Sequence, residues 1–514
     1  SYFHVWLPPF CPVAGPPSRA VRIVKMVTEW PILLTLLAAL VATPVAALDN
    51  GLARTPPMGF STWSVFKSSV SDALVRELAD ALHVTGLARA GYNYLLIDDG
   101  WYAAGCPAPG CLPFRNASGH LNADATKFPR GLAAVAAYVH SRGLKLGLWF
   151  GHAMCSVVSN DTATATAAVG AAAPVDYAAL DAAFFAANGI DAVKHDNCID
   201  VANTSTAIAE NYERYARLGR ALNATGRPVM YDVVLQVAHA RETPSYDLGY
   251  LWSPEVYGKE AVQRVANMWW SLPVNKFNCW SCCVSGERIV DDSRCTSLSG
   301  TACRRGLLPM LDAQDMGTPG FSSTGHWDYG GPGGWNHLDQ LAVCTNKSWY
   351  GPGFTHTEQV AQMSLWSVLA SPLIISMDVR NVSAQCIALV ANPRAIAVHQ
   401  DALGAPGRRL KNIGAVRSTV ADGVGGGGAG VAAQLWGRPL SSGGVAVVFF
   451  NRGEAPIDIS ATCDEMGLPR RDGNVTITDV WTGHAVVREH SPQLTYTAKA
   501  VPPHGVQFVT LMFD

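Results

Sequence analysis

The sequence predicts an α/β chain, a (β/α)8 TIM barrel followed by a C-terminal antiparallel β-sandwich domain. Three observations predict it. From Ala53 onward, short apolar runs alternate with longer amphipathic stretches, the pattern of parallel strands separated by crossover helices. Eight such units fit in the first 400 residues, the count a closed barrel needs. Beyond about Gly407, strand-like runs follow one another with turns and no helical pattern between them.

The barrel strands are expected, in order, at Pro57–Trp63, Tyr92–Asp99, Lys145–Gly151, Asp191–Asp196, Pro228–Val234, Gly249–Trp252, Gly334–Asp339 and Pro372–Asp378. Each is a short apolar or β-branched run bounded by turn formers. Helices are expected at Ser71–Ala90, Ala133–Gly143, Tyr177–Asn188 and Glu358–Leu369, where apolar residues recur with helical spacing. The second domain is expected to use Val431–Trp436, Val445–Phe450, Ile457–Ala461, Val475–Trp481 and Val506–Met512 as strands. Gly423–Gly430 contains a G-x-G-x-x-G, but no βαβ unit surrounds it, so it reads as a flexible hairpin loop.

Composition narrows the function. With 49% hydrophobic and 15% charged residues among 514, the chain has ample material for a core, and disorder along its whole length is excluded. The net charge of −2 leaves no basic excess for a phosphate backbone, so nucleic acid is not an expected partner. The first methionine is Met26, and the apolar run from Trp30 ends in small residues with Val45 and Ala47 at the −3 and −1 positions of a cleavage site. Residues 1–47 are therefore expected to be an upstream extension and a secretory signal peptide. The other reading is a membrane anchor, but Pro44 interrupts the run and it falls short of the ~20 residues of a spanning helix, so no stable anchor is expected. Residues 48–400 are then the barrel and 401–514 the sandwich.

Cysteine usage agrees with export. Of 13 cysteines, Cys11 lies upstream of the leader and the other 12 can all pair, which implies an oxidising compartment. Seven Asn-X-Ser/Thr sequons, at Asn116, Asn160, Asn203, Asn223, Asn346, Asn381 and Asn474, would be acceptors there. The run Cys279-Trp-Ser-Cys-Cys283, with Cys295 and Cys303, opens like a zinc site. No second C-x-x-C or C-x-x-H pair follows, so a disulfide-stapled loop is expected and no metal.

Several expected strands end in carboxylates, amides or aromatics, and the ends of barrel strands are where such folds place their chemistry. Asp191–Asp196 finishes with Lys194, His195 and Asp196, and period-two alternation sends Lys194 and Asp196 the same way. A cation beside a carboxylate favours the ionised form that a nucleophile requires; the other reading is a buried structural ion pair. Asp98-Asp99-Gly100-Trp101 follows an apolar run, and adjacent carboxylates beside a ring suit a sugar's hydroxyls and C–H face. The same pair could instead be a helix cap and a solvated residue. Trp63, Trp149 and Trp335 at other strand ends favour the sugar pocket.

Five runs carry a resemblance: Pro56-Pro-Met-Gly-Phe-Ser-Thr-Trp63, Tyr94–Trp101, Gly143-Leu-Lys-Leu-Gly-Leu-Trp149, Val193-Lys-His-Asp-Asn-Cys198 and Gly331-Pro-Gly-Gly-Trp-Asn-His-Leu-Asp339. In this order they resemble the α-galactosidase and α-N-acetylgalactosaminidase group, glycoside hydrolase family 27. The likeness runs from about residue 50 to 514, and Phe449-Phe-Asn-Arg452 and Val501-Pro-Pro-His-Gly505 resemble that family's C-terminal sandwich. It implies a retaining glycoside hydrolase that removes terminal α-galactose by double displacement. Asp196 would be the nucleophile; Asp98 and Asp99 would hold sugar hydroxyls, with Lys194 beside the nucleophile. Trp63 and Trp149 would line the pocket, and Asp339 falls on a carboxylate of the seventh-strand motif. Cys155 and Cys198 fall where the family has a disulfide. The implied partner is an α-galactoside-containing carbohydrate, a homodimer is allowed, and no cofactor is implied.

The chain also departs from the family. The acid/base aspartate sits in a Trp-Arg-x-x-x-Asp-Ile motif, for which Leu251-Trp-Ser-Pro-Glu-Val-Tyr257 is the expected counterpart, with Glu255 as acid/base and Ser253 in place of an arginine. Asp247 and Glu260 are the nearby alternatives to Glu255. Val234-Leu235 replaces a pair that selects the sugar's 2-substituent, Gly100 replaces a cysteine and His337 an aspartate. These changes leave open a glycosidase for N-acetylgalactosamine or L-arabinopyranose, or an inactive carbohydrate-binding relative.

Overall fold

The computed structural model describes residue 48 and residues 50–103, 114–116, 118–151, 177–196, 205–234, 263–270, 307, 308, 311, 314, 330–345, 354–416, 430–489, 491 and 494–514. The expected leader, the Cys155–Cys198 pair and the cysteine-rich segment 279–303 lie outside these residues. Among the described residues, no helix is long and apolar enough to cross a membrane.

Eight strands form one parallel sheet: β1 (Met58–Ser61), β2 (Tyr94–Ile97), β3 (Lys145–Gly151), β4 (Ala192–Asp196), β5 (Met230–Val234), β6 (Met268–Trp270), β7 (Trp335–His337) and β8 (Leu373–Ile375). They hydrogen-bond in the order β7-β6-β5-β4-β3-β2-β1-β8. Leu341, just past β7, bridges in parallel to Ile375 of β8 and brings the two ends of the sheet together. The strands are almost wholly buried, as expected of parallel strands covered on both faces. Helices Asp72–Val84, Gly131–Ser141, Tyr177–Ala187, Ser205–Ala224 and His356–Leu369 fall on or near the expected segments or between the strands.

The sixth position corrects an expectation. Gly249–Trp252 lies outside the described residues, and the strand between β5 and β7 is Met268–Trp270. Gly249-Tyr-Leu-Trp252 and Met268-Trp-Trp270 are equally apolar locally. Pairing decides between them: Met268 sits opposite both Asp232 and Trp335, so β6 bridges its neighbours on both sides.

The second domain holds a six-stranded sheet, ordered β14-β13-β16-β11-β10-β9, and a two-stranded sheet of β12 and β15. Its strands are β9 (Arg408–Val416), β10 (Gly430–Pro439), β11 (Val445–Asn451), β12 (Ile457–Thr462), β13 (Asn474–Asp479), β14 (Ala485–Glu489), β15 (Thr495–Val501) and β16 (Val506–Phe513). β9, β14 and β15 are not among the expected strands, because all three carry polar or charged residues and all three are sheet edges. Gly430 pairs with Val416 in the antiparallel β9–β10 ladder; the rest of the glycine-rich stretch, expected to be a flexible hairpin loop, lies outside the described residues.

The helix His356–Leu369 joins the two domains. Thr355 and Glu358 form a capping box at its start, and its residues from Ala361 to Leu369 are buried between barrel and sandwich. At its other end, Arg438 of β10 donates through Nη1 to the carbonyls of Ser367, Val398 and His399, a cation set against helix C-termini. Cys344 and Cys386 form a disulfide. Cys463 is a free thiol buried in the sandwich core, so the expectation that all 12 cysteines pair is corrected there; it packs as a small hydrophobe.

Candidate active site

The site grows from the upper ends of β2, β3 and β4. Alternation along β4 turns Lys194 into the barrel and His195 towards the helices. His195 meets the hydroxyl of Tyr231 at 2.6 Å, and burial, aided by Arg214, pushes its pKa down to about 3, so the imidazole is neutral. On the inner face, the Lys194 ammonium donates to Asp98 Oδ2 at 2.9 Å, with both side chains buried. Burial alone would lower the ammonium's pKa, but the charges of Asp98, Asp196 and Asp232 outweigh it and hold Lys194 well above the usual lysine value.

Asp196, half-buried at the end of β4, accepts from the indole N–H of Trp149 through Oδ2 at 3.3 Å. Trp149 lies opposite Lys194 in the β3–β4 register, which brings its indole within reach of Asp196 two residues on. The Trp149 ring is buried, stacked against Tyr102 at 6.3 Å, so it reaches the site through its N–H. Asp99 is half-buried and accepts from the Tyr102 hydroxyl at 2.7 Å. Desolvation raises its pKa; the Tyr102 bond opposes that, and the charges of Asp98 and Asp196 add to it.

Asp98 is held from several sides. Its backbone N–H donates to Thr62 Oγ1 at 2.9 Å, and Ser61 Oγ donates to its Oδ2 at 3.5 Å. Ser61 in turn accepts from Gln340 Nε2 at 3.2 Å, and Ser64 donates to Gln340 Oε1 at 3.0 Å. These serines and Gln340 were missed in the sequence, since they carry no charge and sit in short polar runs. Gly100 has a φ of 94°, and a Cβ there would lie 2.6 Å from the Ser68 Cβ, which is why glycine occupies the position where a cysteine was expected.

Trp63 is half-buried two residues past β1, at the start of the short helix Trp63–Phe66, with the Lys67 ammonium 4.9 Å from its ring centre. Asp339, just past β7, takes a positive φ of 75° and accepts from the Gln340 backbone N–H at 2.6 Å, while its carbonyl accepts from Trp366 Nε1. Trp335 belongs to the core instead: it begins β7, is fully buried and donates to the Ala53 carbonyl. Glu255, Ser253, Leu235, Asp247 and Glu260 lie outside the described residues. With β6 at Met268–Trp270, Glu255 falls in the connection between β5 and β6. In sequence, Trp269-Trp270 then offers a second counterpart to the family's Trp-Arg, which would put Val274 at the aspartate position.

Comparison with known proteins agrees with this geometry. The sequence profile described as "Alpha galactosidase A" matches residues 55–255 and 324–401, and that of the "Alpha galactosidase C-terminal beta sandwich domain" matches 431–511. A probable alpha-galactosidase of Dictyostelium discoideum is 30% identical over 93% of this chain and 97% of its own. The alpha-N-acetylgalactosaminidase of Mus musculus is 31% identical over 87% of this chain and 90% of its own. The crystal structure of alpha-galactosidase I from Mortierella vinacea superposes with a TM-score of 0.65 at 26% identity, covering 91% of this chain and 99% of that one. Fold, site and relatives together define a glycoside hydrolase. The chain belongs to the α-galactosidase family, glycoside hydrolase family 27.

Proposed function

We propose that this protein is a retaining glycosidase that removes terminal α-linked galactose from oligosaccharides or glycoconjugates. The observation that carries the reading is the half-buried Asp196 carboxylate, bonded by Trp149, on the same face as Lys194 and close enough to Asp99 to act on its charge. Asp196 attacks the anomeric carbon and forms a glycosyl-enzyme ester as the leaving oxygen takes a proton from Glu255. Glu255 then draws a proton from water, which attacks the same carbon, releases Asp196 and restores the starting configuration. Retention needs the two carboxyl groups roughly 5 to 5.5 Å apart. For the first step Glu255 must be protonated, which burial or the neighbouring negative charge would favour. Asp98, Asp99 and Lys194 hold the sugar's hydroxyls, and Trp63, Trp149 and Asp339 complete the pocket.

Passage through the secretory pathway is part of the reading, to an extracellular, vacuolar or lysosome-like destination. The apolar leader supports it, as do sequon asparagines 116, 223, 381 and 474, which are all exposed. The test is a panel of aryl glycosides with the wild type and Asp196→Asn. The α-galactoside should be cleaved by the wild type, and the folded variant should be inactive. Preference for the N-acetyl-α-galactosaminide or the β-L-arabinopyranoside would reassign the sugar. Near wild-type turnover by Asp196→Asn would remove the nucleophile.

A further inference from the structure

Beside the groups given roles above, the barrel interior holds a carboxylate and an imidazole that the reaction leaves unused. Asp232 of β5 is 3% exposed and lies opposite Lys194 in the β4–β5 register. Its Oδ2 accepts from the Trp270 indole N–H at 3.1 Å and lies 3.5 Å from Nδ1 of the buried His337. The indole anchored in this way carries the Lys194 ammonium over its ring at 4.9 Å, and packs against the His337 ring with centroids 4.4 Å apart. Lys194, Asp232, Trp270 and His337, from four successive strands, border one internal cavity whose remaining walls are largely apolar.

A carboxylate in such surroundings is strongly destabilising unless its charge is shared. Among the described residues, the Trp270 N–H bonds it and two basic side chains lie beside it, His337 from β7 and Lys194 from β4. Lys194 is in turn faced by three carboxylates: Asp98 of the β2 end in direct contact, Asp196 on its own strand, and Asp232 of β5. Asp99 adjoins Asp98, and β6 and β7 contribute Trp270 and His337. One ammonium thus has as neighbours Asp98, Asp196 and a third carboxylate with an imidazole beside it.

We propose that Asp232, with His337 beside it, is a positioning residue for the glycosidase: it pulls the Lys194 ammonium towards β5 and adds its own negative charge to the field at Asp196, and so sets how far into acid the nucleophile stays ionised. The inference rests on Asp196 being the nucleophile. Its sign follows from electrostatics. Without the Asp232 charge, the repulsion on Asp196 falls and the ammonium is free to sit nearer to it, so Asp196 stays ionised to lower pH. Without the His337 imidazole 3.5 Å away, the Asp232 charge acts on Lys194 and Asp196 unopposed, so Asp196 is protonated at higher pH.

The experiment is the acid limb of kcat/KM on an aryl α-galactoside for wild type, Asp232→Asn, His337→Gln and the double variant, with thermal unfolding as the control. Asp232→Asn should move the limb about half a pH unit down, or about threefold in rate on the limb, and His337→Gln a similar amount up. The double variant should follow Asp232→Asn, because the imidazole then has no carboxylate to balance. A purely structural pair would lower Tm and kcat without opposed shifts. Limbs that stay put, or move the same way, overturn the proposal. If Asp232→Asn does not fold, His337→Gln decides alone, and a limb that fails to rise overturns it. A wild type that prefers another glycoside is read on that glycoside, which changes the proposed sugar and leaves this inference standing or falling on the limbs. A wild type with no glycosidase activity removes both.

Discussion

The Lys194 ammonium lies 2.9 Å from Asp98 Oδ2, joining the end of β4 to the end of β2 across the barrel interior, and neither side chain is more than 7% exposed. The pair anchors Asp98, the carboxylate proposed to hold the sugar, and places a positive charge near Asp196. Lys194→Met would leave Asp98 buried without its cation. It should lose about 3 to 5 kcal/mol of stability, by the usual cost of breaking a buried pair, and should also lose activity. Thermal unfolding and kcat/KM on the same preparation check it. Unchanged stability would mean that Asp98 is neutral or otherwise compensated.

Trp149 bonds Asp196, the proposed nucleophile, through its indole N–H, so Trp149→Phe removes one donor and keeps most of the ring. A hydrogen bond to a charged group contributes ~1.5 to 3 kcal/mol, which corresponds to about 10- to 160-fold in kcat/KM. The variant should also need a higher pH to reach its plateau, since Asp196 loses a donor that favours its ionised form. An unaltered pH profile would show that the bond does not hold the ionised carboxylate.

The acid/base role of Glu255 has its own signature. Glu255→Ala should keep most activity on substrates whose leaving group needs no proton and lose most on alkyl galactosides. Equal losses on both would move the role to Asp247 or Glu260. Added azide should rescue the variant by taking the place of the activated water.

At the domain junction, His504 Nδ1 lies 3.1 Å from Glu358 Oε1 and Nε2 3.1 Å from Glu454 Oε1. The bond to Glu358 raises the His504 pKa against the opposing effect of burial. Burial pushes Glu358 the other way, but the bonds from His504 and Thr355 hold it below the ordinary glutamate value. The histidine's stabilisation is complete below its unfolded value near 6.5 and is lost as pH rises through its raised folded value. The glutamate's is complete above 4.5 and is lost as pH falls through its lowered value. The junction should therefore be firmest between these limits. His504→Gln should lower Tm more at pH 5.5 than at pH 8.5; an equal loss at both would sink the idea.

Much of the fold was legible because its signals are local. β3 was expected and found at Lys145–Gly151, an apolar run long enough to need no context. The Lys194–Asp196 face followed from alternation alone, and the Asp98-Asp99 pair from its place after Leu95–Ile97. The departures have physical reasons too. Trp335 reads as a pocket aromatic until the direction of β7 places it at the strand's start. Edge strands such as β14 carry few buried residues and so little pattern.

The amino-acid order alone determined the alternation of strands and helices, the second β domain and the shared face of Lys194 and Asp196, because each depends on residues a few positions apart. Tertiary structure alone decided that Met268–Trp270 is the sixth strand, that Gln340 supports Asp98 through Ser61, and that Asp232 meets His337. Those contacts join residues from 36 to 279 positions apart. Only closure of the sheet, which sets the neighbours of each strand, brings them within a few ångströms.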